Sequence, residues 1–177
     1  MTTPNVAAAV QTSKDELVRQ LPAWDAVLRE ATTEVFSTMI GVHVDVPAAP
    51  HPTAVSGAPD TSLAAYVTGM IGIAGAMRAV FSLRCSDRAA IRIASQMLCI
   101  SVEEAAAQKS DAIGEVCNII AGHFKHKIGF GDRCTLTIPT VVVGGNYSIH
   151  CLEKGERLEF PVTYEGETVL VTLDIRG

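Results

Sequence analysis

The sequence predicts an α/β fold of the α+β kind, in which about three helices pack on a largely antiparallel sheet of about six strands. Two Ser-x-x-Glu capping boxes each precede apolar residues with helical spacing. The C-terminal third instead consists of segments in which apolar and polar residues alternate, separated by Gly-containing turns. Residues 1–177 are predicted to form a single domain with one core.

The first helix is predicted to begin at the capping box Ser13-x-x-Glu16 and to end near Gly41. Its apolar residues recur at spacings of four and three and predict one buried face: Leu17, Leu21, Trp24, Leu28, Ala31 and Val35. The sequence "VHVDV" at 42–46 then predicts a short strand.

A hairpin and two further helices are predicted in the middle of the chain. Between residues 62 and 84, two strand-like runs surround "GIAG". The residues of the second run expected to face the core are Met77, Ala79, Phe81 and Leu83. Residues 87–99 predict a short helix whose apolar side carries Ile91, Ala94 and Leu98. The second capping box, Ser101-x-x-Glu104, predicts a long helix that ends at about Ile128.

Four segments after this helix predict strands: "CTLTIPTVVV", "YSIHCL", "RLEFPVTY" and "TVLVTLDI". The sequences "GGN", "EKGE" and "EGE" between them predict turns. Pro161 lies in the third segment. Because proline cannot donate a ladder hydrogen bond, we predict that this strand is an edge strand or contains a bulge.

The composition argues against nucleic-acid and membrane partners. The formal charge is -5 and no run of Lys or Arg occurs, so the basic surface that phosphate backbones require is missing. No stretch reaches the roughly 18 apolar residues of a membrane span, and a cytoplasmic location is predicted. Residues 1–12 are expected to be a disordered N-terminus, and 47–60, with four of the eight prolines, a Pro/Ala-rich loop. The five cysteines are spread through apolar stretches and predict buried thiols.

The sequence "DAIGEVCNIIAG" at 111–122 lies inside the long helix although it contains residues that disfavour helices. An interior Gly costs roughly 1 kcal/mol relative to Ala, and an Asn up to roughly 0.7. At about 100° per residue, one side forms the core-facing stripe Ile113, Cys117, Ile120, Phe124 and Ile128. The opposite side carries Asp111, Glu115, Asn118 and Gly122. We name these four residues the motif face. Spacing alone favours an ordinary solvated helix face, and the repeat described next argues for a functional one.

The motif has a weaker copy at the end of the first helix. "EVFSTMIG" at 34–41 has the same format as "EVCNIIAG" at 115–122, with Ser37 where the later copy has Asn118. The repeat suggests a duplicated half-domain. Since the copy at 34–41 lacks the amide, we expect only the copy at 115–122 to be equipped for chemistry.

With Asp111, Glu115, Asn118, the following "IIAG" and Pro139, the chain resembles the CheC/CheX/FliY phosphatases of bacterial chemotaxis, and their CheX-like members most closely. The resemblance implies a phosphatase that dephosphorylates a phospho-aspartyl receiver domain of the CheY type. It also implies a homodimer with a CheX-like, pseudo-duplicated fold.

The resemblance assigns roles to individual residues. Asn118 would enter the receiver's active site and orient the hydrolytic water, while Glu115 would pair with a receiver Lys. Asp111 would help docking or helix geometry, and Glu34 with Ser37 would form a degenerate second site. Gly122 has no side chain and is predicted to leave room for the partner. No cofactor is expected on this chain, since the receiver supplies the Mg²⁺.

Other functions compete with this interpretation. A non-catalytic receiver-binding or scaffold protein would keep the motif face without turnover, and a flagellar-switch-like subunit would assemble into rings. A zinc site could be written from Cys117, His123, His126 and Cys134, but the helix projection turns the first three side chains in different directions. The "GxSxG", "HExxH" and "GxxxxGK[ST]" motifs are absent.

Overall fold

The computed structural model describes residues 14–47, 65–145, 147, 149 and 155–176. Ser13 of the first capping box and most of "YSIHCL" lie outside the described residues, as do the predicted N-terminus at 1–12 and most of the 47–60 segment.

Helix α1 spans Lys14–Val35 and continues as one π-helical turn, Phe36–Ile40. The predicted apolar face is confirmed where side chains are described, because Trp24, Leu28, Ala31 and Val35 are buried. The turn ends at Gly41, whose φ of 79° is left-handed and whose N–H donates to the Phe36 carbonyl. Glycine adopts this conformation without a Cβ penalty, so the predicted end of the helix is confirmed.

Helices α2, Asp87–Leu98, and α3, Val102–Lys127, follow in sequence. The predicted capping box of α3 is present, since the Ser101 hydroxyl accepts from the Glu104 N–H and the Glu104 carboxylate accepts from the Ser101 N–H. The prediction for α2 was partly wrong, because Leu98 at its C-terminus is 43% exposed. The buried side of α2 consists of small and branched residues: Ala89, Ala90, Ile93 and Ala94. None of the described helices is long and apolar enough to cross a membrane.

The described strands form one sheet of six strands, in which every pairing is antiparallel. They are β1 Tyr66–Gly75, β2 Arg78–Ser86, β3 Cys134–Leu136, β4 Thr140–Gly144, β5 Gly155–Tyr164 and β6 Glu167–Arg176. The order is β3-β1-β2-β6-β5, and β4 also pairs with β1. Three helices on this sheet confirm the predicted fold class, and β5, which contains Pro161, is an edge strand as predicted.

Three predicted strand boundaries were wrong. Residues 42–46 form no strand, because only Asp45 exchanges backbone hydrogen bonds with a neighbour, Thr163. "GIAG" belongs to β1 and not to the hairpin turn, since Gly72 and Ile73 still pair with β2. "CTLTIPTVVV" is two strands, because residues 137–139 leave the ladder between β3 and β4.

The core lies between the helices and one face of the sheet. The alternation predicted for the second hairpin strand is confirmed, since Met77, Ala79, Phe81 and Leu83 are all buried. The Trp24 ring of α1 packs edge-on against Phe124 of α3, with ring centroids 6.4 Å apart. Hairpin β1–β2 comes after α1, and hairpin β5–β6 comes after α3 with β3 and β4 in between. The two hairpins pair through β2 and β6, and the duplication stays a prediction.

Candidate functional site

Helix α3 is seated directly on β1, and this contact fixes the rotation of the helix. A Cβ added to Gly69 would lie 2.5 Å from the Cys117 Sγ and 3.0 Å from an Ile113 side-chain carbon. Ile113, Cys117, Ile120 and Phe124 are fully buried, which confirms the predicted core stripe except at Ile128, which follows α3 and is half-buried. Burial also raises the pKa of the Cys117 thiol well above its usual range. Since this side is buried, the motif face is turned away from the sheet.

The motif face is accessible from solvent along its length. Asp111 and Glu115 are exposed, while Asn118 and Gly122 are half-buried. Among the described residues, no hydrogen bond or ion pair is made by the side chains of Asp111, Glu115 or Asn118. A Cβ on Gly122 would meet nothing within 4 Å, so the glycine leaves bare backbone open to an approaching group.

The half-burial of Asn118 is explained by the strand beside α3. A Cβ added to Gly114, one turn before Asn118, would lie 3.5 Å from Pro139 and Val141 atoms. Four residues of helix rotate by about 40°, so Asn118 lies almost on the same side as Gly114. The prediction of a fully solvent-facing amide was therefore only partly right, because the segment leading into β4 stands beside it.

The degenerate copy differs because α3 supplies Lys127 and His123 as partners for Glu34. Glu34 Oε2 lies 3.3 Å from Lys127 Nζ and 3.5 Å from His123 Nδ1, and Lys127 also contacts Glu30 at 2.8 Å. Hydrogen bonding and charge from Lys127 hold the pKa of Glu34 below its ordinary value. Glu34 is thus paired within the chain, whereas no described residue pairs with Glu115.

The backbone of the degenerate copy also differs. Ser37 lies in the π-helical turn, and its hydroxyl donates to the Glu34 carbonyl at 2.9 Å. Thr38 donates to the same carbonyl at 2.7 Å. The structure therefore brings Glu34 and Ser37 together, but the hydroxyl of Ser37 and the carboxylate of Glu34 already have internal partners.

Three residues of the possible zinc site, Cys117, His123 and His126, have different neighbours in the structure. Cys117 faces β1, His123 faces Glu34, and the His126 ring packs where a Gly131 side chain would stand. Within the described part of the chain, no group of three or more His, Cys, Asp or Glu residues could hold a metal ion. A cleft of about 660 Å³ near the start of α2 contains no motif-face residue. The motif face is thus a helix surface, a geometry that suits a protein partner.

Sequence reasoning did not predict two contacts, that of Lys127 with Glu34 and that of Pro139 with α3, although Pro139 itself was singled out. The pairing of Lys127 with Glu34 joins residues far apart in sequence, and no local pattern indicated it. The contact of Pro139 with α3 had a visible signal, since "TIPT" interrupts a strand with a proline.

The chain matches the family model described as chemotaxis phosphatase CheX over residues 67–163. It is similar in structure to the chemotaxis protein CheX from Desulfovibrio desulfuricans, with a TM-score of 0.71, 22% identity and coverage of 87% of this chain and 99% of that one. It is also similar to the CheX–CheY–BeF3–Mg²⁺ complex from Borrelia burgdorferi (TM-score 0.65, 20% identity, coverage 87% and 98%). Thermotoga maritima FliY aligns with a TM-score of 0.62, 15% identity and coverage of 97% and 92%. No curated protein sequence matches the chain.

Proposed function

Because the chain belongs to the family of the chemotaxis phosphatase CheX, we propose that it hydrolyses the aspartyl phosphate of a CheY-like receiver domain. The observation that carries the proposal is the motif face, which presents Glu115 and Asn118 without partners among the described residues. A related CheX was solved together with CheY, BeF3 and Mg²⁺. The proposal extends that pairing to this chain.

Asn118 is assigned the alignment of the attacking water. In the reaction, water attacks phosphorus, the bond to the aspartyl oxygen breaks, and inorganic phosphate and a free carboxylate result. Such a transfer depends mostly on positioning and on charge stabilisation. An amide can accept a hydrogen bond from the water and donate one to a neighbouring oxygen, and it does not ionise. A carboxylate at this position would repel the phosphoryl oxygens.

Glu115 is assigned the docking contact. Its carboxylate is one turn of α3 before Asn118 and is exposed, so a lysine at the rim of the receiver's active site can reach it. Such a charge-assisted bond strengthens when the interface excludes water. Asp111 and Gly122 extend the same surface, the first as a further acidic contact and the second as space for close approach.

The Mg²⁺ of the reaction is proposed to belong to the receiver. The described residues of this chain contain no cluster suited to a metal ion, and the motif face offers two carboxylates and one amide on a convex surface. When bound, the metal ion offsets charge on the phosphoryl oxygens. The degenerate copy is proposed to be silent, because Glu34 is already paired with Lys127 and His123. The homodimer and the cytoplasmic location stay predictions.

The test follows the decay of a CheY receiver domain charged with a small phosphodonor. Wild-type protein should shorten the lifetime of the phosphoryl group, Asn118→Ala should lose at least about 100-fold in rate while it still binds, and Glu115→Ala should bind more weakly. Ser37→Ala is the matched control and should keep the wild-type rate. A protein that binds the phosphorylated receiver without shortening its lifetime would be a scaffold, and the proposal would be wrong.

A further inference from the structure

An isoleucine beside the motif face is exposed to solvent, and the backbone on both sides of it fixes this exposed position. Ile138 is 88% exposed, more than any other large hydrophobic side chain among the described residues. It lies in the bulge at 137–139, where three residues stand opposite two of β1, between the pairs Ile73↔Leu136 and Met70↔Thr140. Burying an apolar side chain of this size is favourable, and this position leaves that contribution unused in the free protein.

The bulge is rigidly anchored on both sides of Ile138. The Thr137 N–H donates to the Gly72 carbonyl and the Gly72 N–H donates to the Thr137 hydroxyl, both at 2.9 Å. Gly72 has no side chain, and a Cβ there would lie 2.9 Å from the Thr137 methyl. On the other side, Pro139 has a fixed φ and lies against α3. Ile138 is therefore exposed by a defined backbone and not by a loose loop.

The bulge lies within the area that a docked receiver would cover. Pro139 stands beside Gly114, and Asn118 is one helical turn, about 6 Å, farther along α3. Ile138 is the next residue, with a Cα about 3.8 Å from that of Pro139. An interface of standard size covers about 800 Å² on each partner, a disc of radius about 16 Å. A footprint centred on Asn118 thus includes the bulge.

We propose that Ile138 is a docking residue that inserts into an apolar depression of the receiver beside its phosphorylation site, and so determines affinity and partner choice. This inference rests on the proposed function. The position beside Asn118 favours the receiver over a second copy of the chain. The nearest neighbours Thr135, Thr137 and Thr140 are exposed and polar, and Val143, farther along β4, is 47% exposed. An apolar anchor among polar neighbours is typical of a transient interface, whereas permanent dimer interfaces are broadly apolar.

The test separates docking from turnover in the full-length protein. With phosphorylated CheY as substrate, Ile138→Thr should raise KM about five- to tenfold and leave kcat within about twofold. Asn118→Ala should instead lower kcat. Val102→Thr is the matched control, since Val102 is 53% exposed and about 24 Å from Asn118 along the same helix; its KM should be unchanged.

Binding measurements test the docking role of Ile138 without requiring catalysis. Anisotropy of labelled CheY activated with beryllofluoride and Mg²⁺ should show the same five- to tenfold loss of affinity for Ile138→Thr. If wild-type protein binds but does not hydrolyse, this loss would still support the docking role while the proposed function fails. An unchanged Kd and KM would overturn the inference. A changed sedimentation coefficient with unchanged Kd would overturn it too, because it would assign Ile138 to contacts between copies.

Discussion

The two copies of the motif share a sequence format and differ in what surrounds them. Glu115 and Asn118 lie within a continuous α-helix and have no partner among the described side chains. Glu34 and Ser37 lie where α1 changes into a π-helical turn, and both are paired within the chain. A motif is available to a partner only if the fold leaves its polar groups unpaired, and here only the copy on α3 meets that condition.

The strongest test of this comparison exchanges the residue that distinguishes the copies. Asn118→Ser should lower dephosphorylation by about 100-fold or more, because the shorter hydroxyl cannot align the water as the amide does. Ser37→Asn should add no activity, since Glu34 stays paired with Lys127. Phosphate release measured for both variants and for the double variant checks this. Activity gained by Ser37→Asn in an Asn118→Ser background would show that the pairing of Glu34 does not silence the first copy.

In each copy one residue separates the valine from the polar residue, Phe36 in the first copy and Cys117 in the second. This residue determines how the copy packs against the rest of the fold. Phe36 contacts the Tyr164 ring, whereas Cys117 lies against Gly69. Gly69→Ala should lower the free energy of unfolding by about 1–3 kcal/mol, because the new Cβ would collide with the Cys117 Sγ and the α3 backbone lies close behind it. Urea denaturation measures the loss. Wild-type stability for this variant would mean that α3 is not tightly seated on β1.

Each copy ends in a glycine, Gly41 or Gly122, and substitution of these glycines by alanine should change the free energy of unfolding in opposite directions. Gly41→Ala should destabilise by about 1 kcal/mol, since its φ of 79° is strained for alanine. Gly122→Ala should stabilise by up to about 1 kcal/mol, because it lies in a helix with open space around it. The same variant should raise KM for the phosphorylated receiver if this glycine admits the partner. Thermal or urea unfolding gives the stabilities, and equal signs would contradict the comparison.

The smallest expected effect concerns the ion pairs of the silent copy. The pKa of Glu34 lies below its ordinary 4.5 because of Lys127, and that of Lys127 lies above 10.5 because of Glu30 and Glu34. A lowered acid pKa gives stability that is present above pH 4.5 and is lost as pH falls through the lowered value; a raised lysine pKa gives stability that is lost as pH rises through the raised value.

Lys127→Met should therefore lower the free energy of unfolding slightly at neutral pH, and the difference from wild type should vanish in acid. Urea titrations across pH measure this difference. Glu115→Gln is the matched substitution in the other copy and should leave stability unchanged, since no ion pair to a described residue is lost. A Lys127→Met difference that persisted in acid would contradict the assigned pairing.

Much of the fold was predictable because local signals agreed with tertiary packing. The Ser101 box, the core stripe of α3 and the alternation of β2 follow from side-chain chemistry within a few residues, and all three are confirmed. The break at 137–139 and the failed strand at 42–46 depend on pairing with distant strands. Periodicity cannot report such pairing.

The candidate site was likewise predictable only where local helix geometry decides it. The motif face could be predicted because helix geometry alone separates Asp111 and Glu115 from the buried stripe. The partial burial of Asn118 could not, because it comes from a strand that begins after Pro139. Nor could the pairing of Glu34, because its partners Lys127 and His123 lie on another helix.

The π-helical turn at the end of α1 makes the loss of the first copy difficult to reverse. A single substitution could return an amide to position 37, but the turn Phe36–Ile40 would still hold it at a different angle to Glu34 than Asn118 has to Glu115. Recovery would also need a rebuilt backbone and the departure of Lys127. The turn is therefore a structural barrier, and we expect no single substitution in the first copy to create a second site there.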